Sequence, residues 1–94
     1  GGLGMAGSAN LNPGNVSLFE PVHGSAPKYA GKDVANPIGA ILTAAMMLDY
    51  LGFAEAALTV ERAVERAVVE NQTTSDVGGR LGTRAVGDFI ASAV

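Results

Sequence analysis

Apolar residues in this chain gather into one dense block, two periodic stretches and one short run. The dense block is Ile38-Gly39-Ala40-Ile41-Leu42-Thr43-Ala44-Ala45-Met46-Met47-Leu48-Asp49-Tyr50-Leu51, interrupted only by Thr43 and Asp49 among its strongly polar positions. It predicts a helix over 37–51. Asn36 is a natural cap, and Pro37 fits the first turn, where its missing N–H costs nothing. Gly52 stops the helix. As a helix the block is about 21 Å long, short of a bilayer core, so it reads as a buried helix. Because it is apolar nearly all round, it should be packed on most sides. A second helix is expected from about Ala54 to Asn71. Ala57, Val60, Val64 and Val68 form its buried stripe, and Glu61, Arg62, Glu65, Arg66 and Glu70 crowd the opposite face. Arg62/Glu65 and Arg66/Glu70 can pair along that face. A third helix is expected over Thr83–Ala93, with Val86, Phe89, Ile90 and Val94 as its apolar side. Val16 to Val22 reads as a strand that Pro21 ends or confines to an edge.

The intervals are polar. Residues 1–15, rich in Gly, Ser, Asn and Pro, read as loop. Residues 23–36 form a loop long enough in a compact domain to be functional. Thr73 to Gly82 is a third loop, punctuated by Gly78, Gly79 and Gly82. The expected fold class is therefore α/β, with one strand and three helices. Those elements do not close a sheet core, and helix 37–51 demands more cover than two neighbours give. Residues 1–94 are thus expected to be a single partial domain completed by further chain or by another subunit. The glycine-rich start, without an initiator Met or a basic leader region, leads to the expectation of truncation or processing and of no signal peptide.

Composition sharpens this picture in three respects. Ninety-four residues are too few for a two-domain enzyme with a closed cleft, yet 48% hydrophobic content is that of a globular protein. Charged residues make up only 16%, as expected of a surface that is partly covered. The net charge of −3 argues against nucleic acid or an anionic membrane as partner, because both require a basic face. The absence of cysteine excludes disulfides and thiolate metal sites and fits a reducing cytosol, so a cytoplasmic location is expected.

Several segments carry candidate chemistry. Gly2-Leu3-Gly4-Met5-Ala6-Gly7 matches GxGxxG, but no strand precedes it and turn-forming residues follow, so it reads as a glycine-rich connection rather than a dinucleotide fingerprint. His23 and Gly24, at the C-terminal end of the expected strand, lie where open α/β folds bind ligands. Gly24 admits a ligand to the backbone, and Ser25 offers a hydroxyl. The same His could simply brace the turn. Lys28, Tyr29 and Lys32 place two cations and a phenol close together, although solvated surface lysines are the ordinary reading. Asn36 has a sufficient role as a helix cap, and its amide could also meet a base edge, since it both donates and accepts. Asp76 could be a plain turn residue. No Ser/His/Asp set is convincing, and the one His has no second His or Cys with which to hold a metal.

The stretch Phe19-Glu20-Pro21-Val22-His23-Gly24-Ser25-Ala26-Pro27, continued by Ala30-Gly31-Lys32 and Ala35-Asn36-Pro37, resembles the adenosine-binding loop of the isopropylmalate/isocitrate dehydrogenase family. The resemblance also takes in Gly2 to Ala6, Ser8 to Asn10, Ala44 to Leu48 and Asp76 to Gly79, and so covers essentially the whole chain as the last part of a longer one. It implies the C-terminal part of the large cofactor-binding domain of that fold, which is not the GxGxxG Rossmann type. It implies NAD or NADP as cofactor and Mg2+ or Mn2+ in the parent enzyme. The implied reaction oxidises a 2-hydroxy acid at C2 and then decarboxylates it at C3, the metal stabilising the enolate. By resemblance, His23 stacks near the adenine. Gly24, Ser25, Ala26, Pro27 and Lys28 line the phosphates and the adenosine ribose, and Asn36 contacts the adenine edge. Glu20 lies toward the nicotinamide, and Asp76 closes over the adenosine from the C-terminal loop. The family's metal-binding aspartates, substrate arginines and proton-transfer pair all lie upstream, so no catalytic or metal-binding residue is expected in this chain, and alone it should be inactive.

One departure bears on the cofactor. NAD-using members carry Asp where this chain has Lys28. Lys28-Tyr29 is similar instead to NADP-using bacterial isocitrate dehydrogenases, where the pair meets the 2′-phosphate. The C-terminal loop Ser75-Asp76-Val77-Gly78-Gly79-Arg80 lacks the Tyr those enzymes add and looks more like that of isopropylmalate-using members. NAD and NADP therefore both stay open. As substrate, 3-isopropylmalate is expected before isocitrate, homoisocitrate or tartrate, which would place a homo-oligomeric parent enzyme in leucine biosynthesis. The competing readings are a stand-alone nucleotide-binding module without catalysis and a structural fragment.

Overall fold

The computed structural model describes residues 7–11, 16–21 and 30–94. Two short strands, β1 (Gly7–Asn10) and β2 (Leu18–Pro21), pair antiparallel, with Ser8 opposite Glu20 and Ala9 opposite Phe19. Three helices follow: α1 (Ile38–Tyr50), α2 (Ala54–Val69) and α3 (Thr83–Ala93). A single 3-10 turn, Ser75–Val77, lies between the last two.

The helices form where the patterning predicts them. Strand β1 is a correction to the expected loop over residues 1–15. Its sequence, Gly-Ser-Ala-Asn, has no strand preference of its own. It is held by the ladder to β2 and by contact of both strands with α1, a tertiary effect that overrides local propensity. Pro21, opposite Gly7 at the last described position of β2, offers no N–H to the ladder. Phe19 on β2 meets Tyr50 at the end of α1, with ring centroids 5.6 Å apart and tilted by 54°.

Both helix ends before the 3-10 turn close in the same way. After α1, Gly52 takes φ 94°, its N–H bonds the Asp49 carbonyl, and the Phe53 N–H bonds the Leu48 carbonyl at 2.8 Å. After α2, Asn71 takes φ 57°, and the N–H groups of Asn71 and Gln72 bond the carbonyls of Val68 and Ala67. This paired arrangement satisfies carbonyls the helix leaves open, and it requires a left-handed residue, Gly or Asn by preference.

The core lies among α1, α2 and α3: Ile38, Ala63, Val64, Ala67, Val86 and Ile90 are buried together, with Ile41, Leu42, Leu81 and Phe89 packed around them. The buried stripe of α2 differs from the expected one. Ala57, Ala63, Val64 and Ala67 are inside, whereas Val60 is half-buried and Val68 is exposed. Small side chains at the contact let the helices approach closely, so alanines take the interior and the valines at the C-terminal end turn outward. Of the two expected ion pairs on α2, the structure holds Arg66–Glu70, at 2.6 Å. The Arg66 guanidinium also lies 5.6 Å from the centre of the Phe89 ring. Helix α1 is not packed on every side. Ala40, Ala44, Met47 and Leu51, spaced to share one face, are exposed. With Phe19 and Thr43, the first three line an open hollow of about 240 Å³. No described helix is long and apolar enough to cross a membrane.

Candidate functional site

The segment 30–36, the end of the polar loop before α1, is fastened to the C-terminal part of the chain at two places. The first is Asp33. Gly31 at φ 75° and Asp33 at φ 56° turn the backbone through left-handed conformations, which Gly and Asp tolerate best. The turn brings Asp33 to the start of α3. There its Oδ1 accepts from the Arg84 N–H at 2.8 Å and its carbonyl accepts from the Thr83 N–H at 3.1 Å. The Thr83 hydroxyl donates back to the Ala35 carbonyl. Asp33 thus caps a helix 50 residues away, with its negative charge at the positive end of the helix dipole. Gly82 sits against it so closely that a Cβ there would collide with the Asp33 carboxylate and carbonyl.

The second fastening joins Asn36 and Asp76, two of the residues singled out by sequence. Asn36 caps α1 as expected: its Oδ1 accepts from the Ile38 N–H at 2.9 Å. Its Nδ2 donates to Asp76 Oδ2 at 3.0 Å, across 40 positions of sequence. Asp76 lies in the 3-10 turn, which Gly78 closes at φ 84° with its N–H on the Ser75 carbonyl. The buried Thr74 donates its hydroxyl to the other Asp76 oxygen. Burial pushes the Asp76 carboxyl up, but hydrogen bonds from Thr74, Asn36 and the N–H groups of Asp76 and Val77 together outweigh it and hold the group below its ordinary 3.8. Gly79 completes the turn against Thr73, where a Cβ would collide with the Thr73 carbonyl. The Thr73 hydroxyl beside it is buried and has no hydrogen-bond partner among the described residues.

Glu20 is exposed on β2, and no hydrogen bond or ion pair among the described residues joins it to the Asn36–Asp76 pair. His23, Gly24, Ser25, Ala26, Pro27, Lys28 and Tyr29 lie outside the described residues. Asp33 is the residue that reading the sequence did not single out. Its signal was present in Gly31-Lys32-Asp33, a Gly/Asp pair suited to left-handed turns, but nothing local announces a cap for a helix so far along the chain.

Chemically, the pair offers hydrogen bonding rather than reaction. A neutral amide and an ionised carboxylate can meet polar edges such as those of a base or a ribose, and they supply no nucleophile. Among the described residues no group of His, Cys, Asp and Glu could hold a metal ion.

Comparison with known proteins follows the same line. The sequence profile described as isocitrate/isopropylmalate dehydrogenase matches residues 1–90. The isocitrate/homoisocitrate dehydrogenase of Thermus thermophilus is 51% identical over 94 residues, all of this chain and 28% of that protein. The 3-isopropylmalate dehydrogenase of Methanothermobacter thermautotrophicus is 48% identical over 91 residues, 97% of this chain and 27% of that protein. The crystal structure of a β-decarboxylating dehydrogenase from Thermococcus kodakarensis superposes with a TM-score of 0.88 at 48% identity, covering 97% of this chain and 26% of the other. The chain thus spans little more than a quarter of the length of the relatives it matches.

Proposed function

The chain belongs to the isocitrate/isopropylmalate dehydrogenase family, and from that premise we propose that it is the C-terminal segment of the cofactor-binding domain of a β-decarboxylating dehydrogenase. Loop 23–36 takes the adenosine half of NAD or NADP. One observation carries this reading: Asn36 and Asp76, expected at the adenosine from two separate loops, meet at 3.0 Å. A bound nicotinamide supplies the hydride acceptor for oxidation at C2 of the substrate. The residues of this chain bind and orient the dinucleotide. His23 packs on the adenine, and Gly24 to Lys28 line the phosphates and ribose. Tyr29 adds a phenol beside Lys28, and Glu20 lies toward the nicotinamide end. Mg2+ or Mn2+ and its ligands belong to the part of the enzyme beyond this chain. The loop Asp76-Val77-Gly78-Gly79 favours 3-isopropylmalate as substrate, before isocitrate, homoisocitrate or tartrate, and hence a role in leucine biosynthesis in the cytoplasm by a homo-oligomeric enzyme.

The test is a chimera in which this chain replaces the matching 94 residues of the Thermus thermophilus relative. The folded chimera is expected to bind a nicotinamide dinucleotide and to reduce it with isocitrate and Mg2+. The 94-residue chain alone, assayed in parallel, is expected to show no turnover. A folded chimera that binds neither NAD nor NADP would overturn the reading.

A further inference from the structure

We propose that Asp76, itself seated by Thr74, is a positioning residue that holds the Asn36 amide in one orientation, so that Asn36 presents a single N–H donor to the adenine edge. The proposal rests on reading loop 23–36 as the adenosine site, and it adds what that reading leaves open: which half of the amide meets the base.

An asparagine amide has an accepting end and a donating end of nearly equal shape, and a rotation by half a turn exchanges them. Here both ends face partners that work in one sense only. The Ile38 N–H can only donate, and Asn36 Oδ1 accepts from it at 2.9 Å. The Asp76 carboxylate can only accept when ionised, and Asn36 Nδ2 donates to it at 3.0 Å. Rotation would set N–H against N–H and oxygen against carboxylate, losing both bonds at once. Asp76 is in turn fixed by the hydroxyl of Thr74, a residue only 1% exposed, and by the N–H groups of its own turn. The oxygen of Asn36 is thereby turned into the first turn of α1, and one of its two N–H groups is occupied. What is left for a ligand is the second N–H. An Asn free at both ends grips adenine by donating to one ring position and accepting from the exocyclic amine. The held Asn36 instead selects a ring-nitrogen acceptor.

The chimera described above allows the test, with four variants: Asn36→Ser, Asp76→Ala, Asp76→Asn and the double Asn36→Ser/Asp76→Ala. Serine keeps an oxygen for the Ile38 N–H and removes the amide donor. Dissociation constants for NADH and NADPH are measured by titration, with Tm for each variant as a check on folding. Asp76→Ala is expected to weaken binding about three- to tenfold, the scale of one hydrogen bond. Asp76→Asn should bind more tightly than Asp76→Ala, because its oxygen still accepts from Asn36, although its NH2 cannot accept from the N–H groups of the turn as the carboxylate does. The double variant should bind no more weakly than Asn36→Ser alone, since Asp76 acts through Asn36. Losses that add in the double variant, or equal losses in Asp76→Asn and Asp76→Ala, would mean that Asp76 touches the dinucleotide itself, and the proposal fails. Should Asn36→Ser bind like the parent, the assignment of Asn36 to the adenine fails and takes this proposal with it. Additive losses leave that assignment standing.

Discussion

At the scale of single residues, Lys28 and Asp76 carry the sharpest expectations. An ammonium beside a 2′-phosphate makes a charge-assisted hydrogen bond worth about 1.5–3 kcal/mol, whereas a carboxylate there accepts from a 2′-OH and repels a phosphate. Lys28→Asp in the chimera is therefore expected to raise the ratio of NAD to NADP efficiency at least about tenfold. Measuring kcat/KM for both dinucleotides at one ionic strength checks this. An unchanged ratio would mean that Lys28 faces solvent. Asp76 gives a pH dependence. Its carboxyl is held below the ordinary 3.8 in the folded state, so the unfolded chain takes up a proton first as pH falls. Its contribution to stability is fully present above 3.8 and is lost as pH falls through the lowered native value. The Tm gap between the chimera and its Asp76→Asn variant should therefore shrink below that pH. A gap that widened on acidification would contradict the assigned hydrogen bonds. Asn36 and Asp76 were legible in the sequence as cap and turn residue, because both roles are local. Their meeting was not legible from spacing or periodicity; only the family resemblance set both at one nucleotide.

At the scale of elements, the helices were legible almost to the residue. The third was expected over Thr83–Ala93 and is observed there. Helix α1 starts after Asn36-Pro37 and stops before Gly52, since capping and left-handed closure are chemical properties of those residues. What local patterning missed depended on distant partners. Strand β1 exists because β2 and α1 hold it, and the inner face of α2 is chosen by helices α1 and α3 rather than by valine content. The cap of α3 belongs to the same class, being supplied by Asp33 from the loop before α1. Replacing an N-cap aspartate by alanine typically costs about 0.5–2 kcal/mol. Asp33→Ala should lower the stability of the chimera by about 1 kcal/mol, read as the shift in urea midpoint. The left-handed φ of Asp33, which Ala tolerates less well, adds to that loss, so a variant as stable as the parent would contradict the assigned cap.

At the scale of the whole molecule, the balance of apolar surface is unusual for a free-standing domain. Among the described residues, half of the eight buried hydrophobics are alanines, while Leu11, Val16, Leu18, Met47, Leu51, Phe53, Leu58 and Val69 are among the large hydrophobics left exposed. The radius of gyration is 13.5 Å, above the roughly 12 Å of a compact domain of this length. The isolated chain is accordingly expected to self-associate or to unfold without a sharp transition, as large exposed apolar patches drive association. Sedimentation together with a thermal melt would decide it: a monomer with a cooperative transition contradicts the expectation and weakens the fragment reading too. The unbroken apolar block of α1 led to an expectation of packing on most sides, whereas the structure leaves one face open, and periodicity in so uniform a block could not say which.

That open face is built of small residues at its N-terminal end, Ala40 and Ala44, then Met47 and Leu51. Small side chains on an uncovered helix face let another backbone come close, and they make the face intolerant of bulk once something lies on it. On the proposed reading of the chain as a segment of a longer enzyme, this makes it one half of a split protein. Supplied separately with the remaining part of the Thermus thermophilus relative, it would reconstitute dinucleotide binding in trans. Bulky residues at Ala40 and Ala44 would then act as a steric gate, silent in the free chain and prohibitive to reassembly.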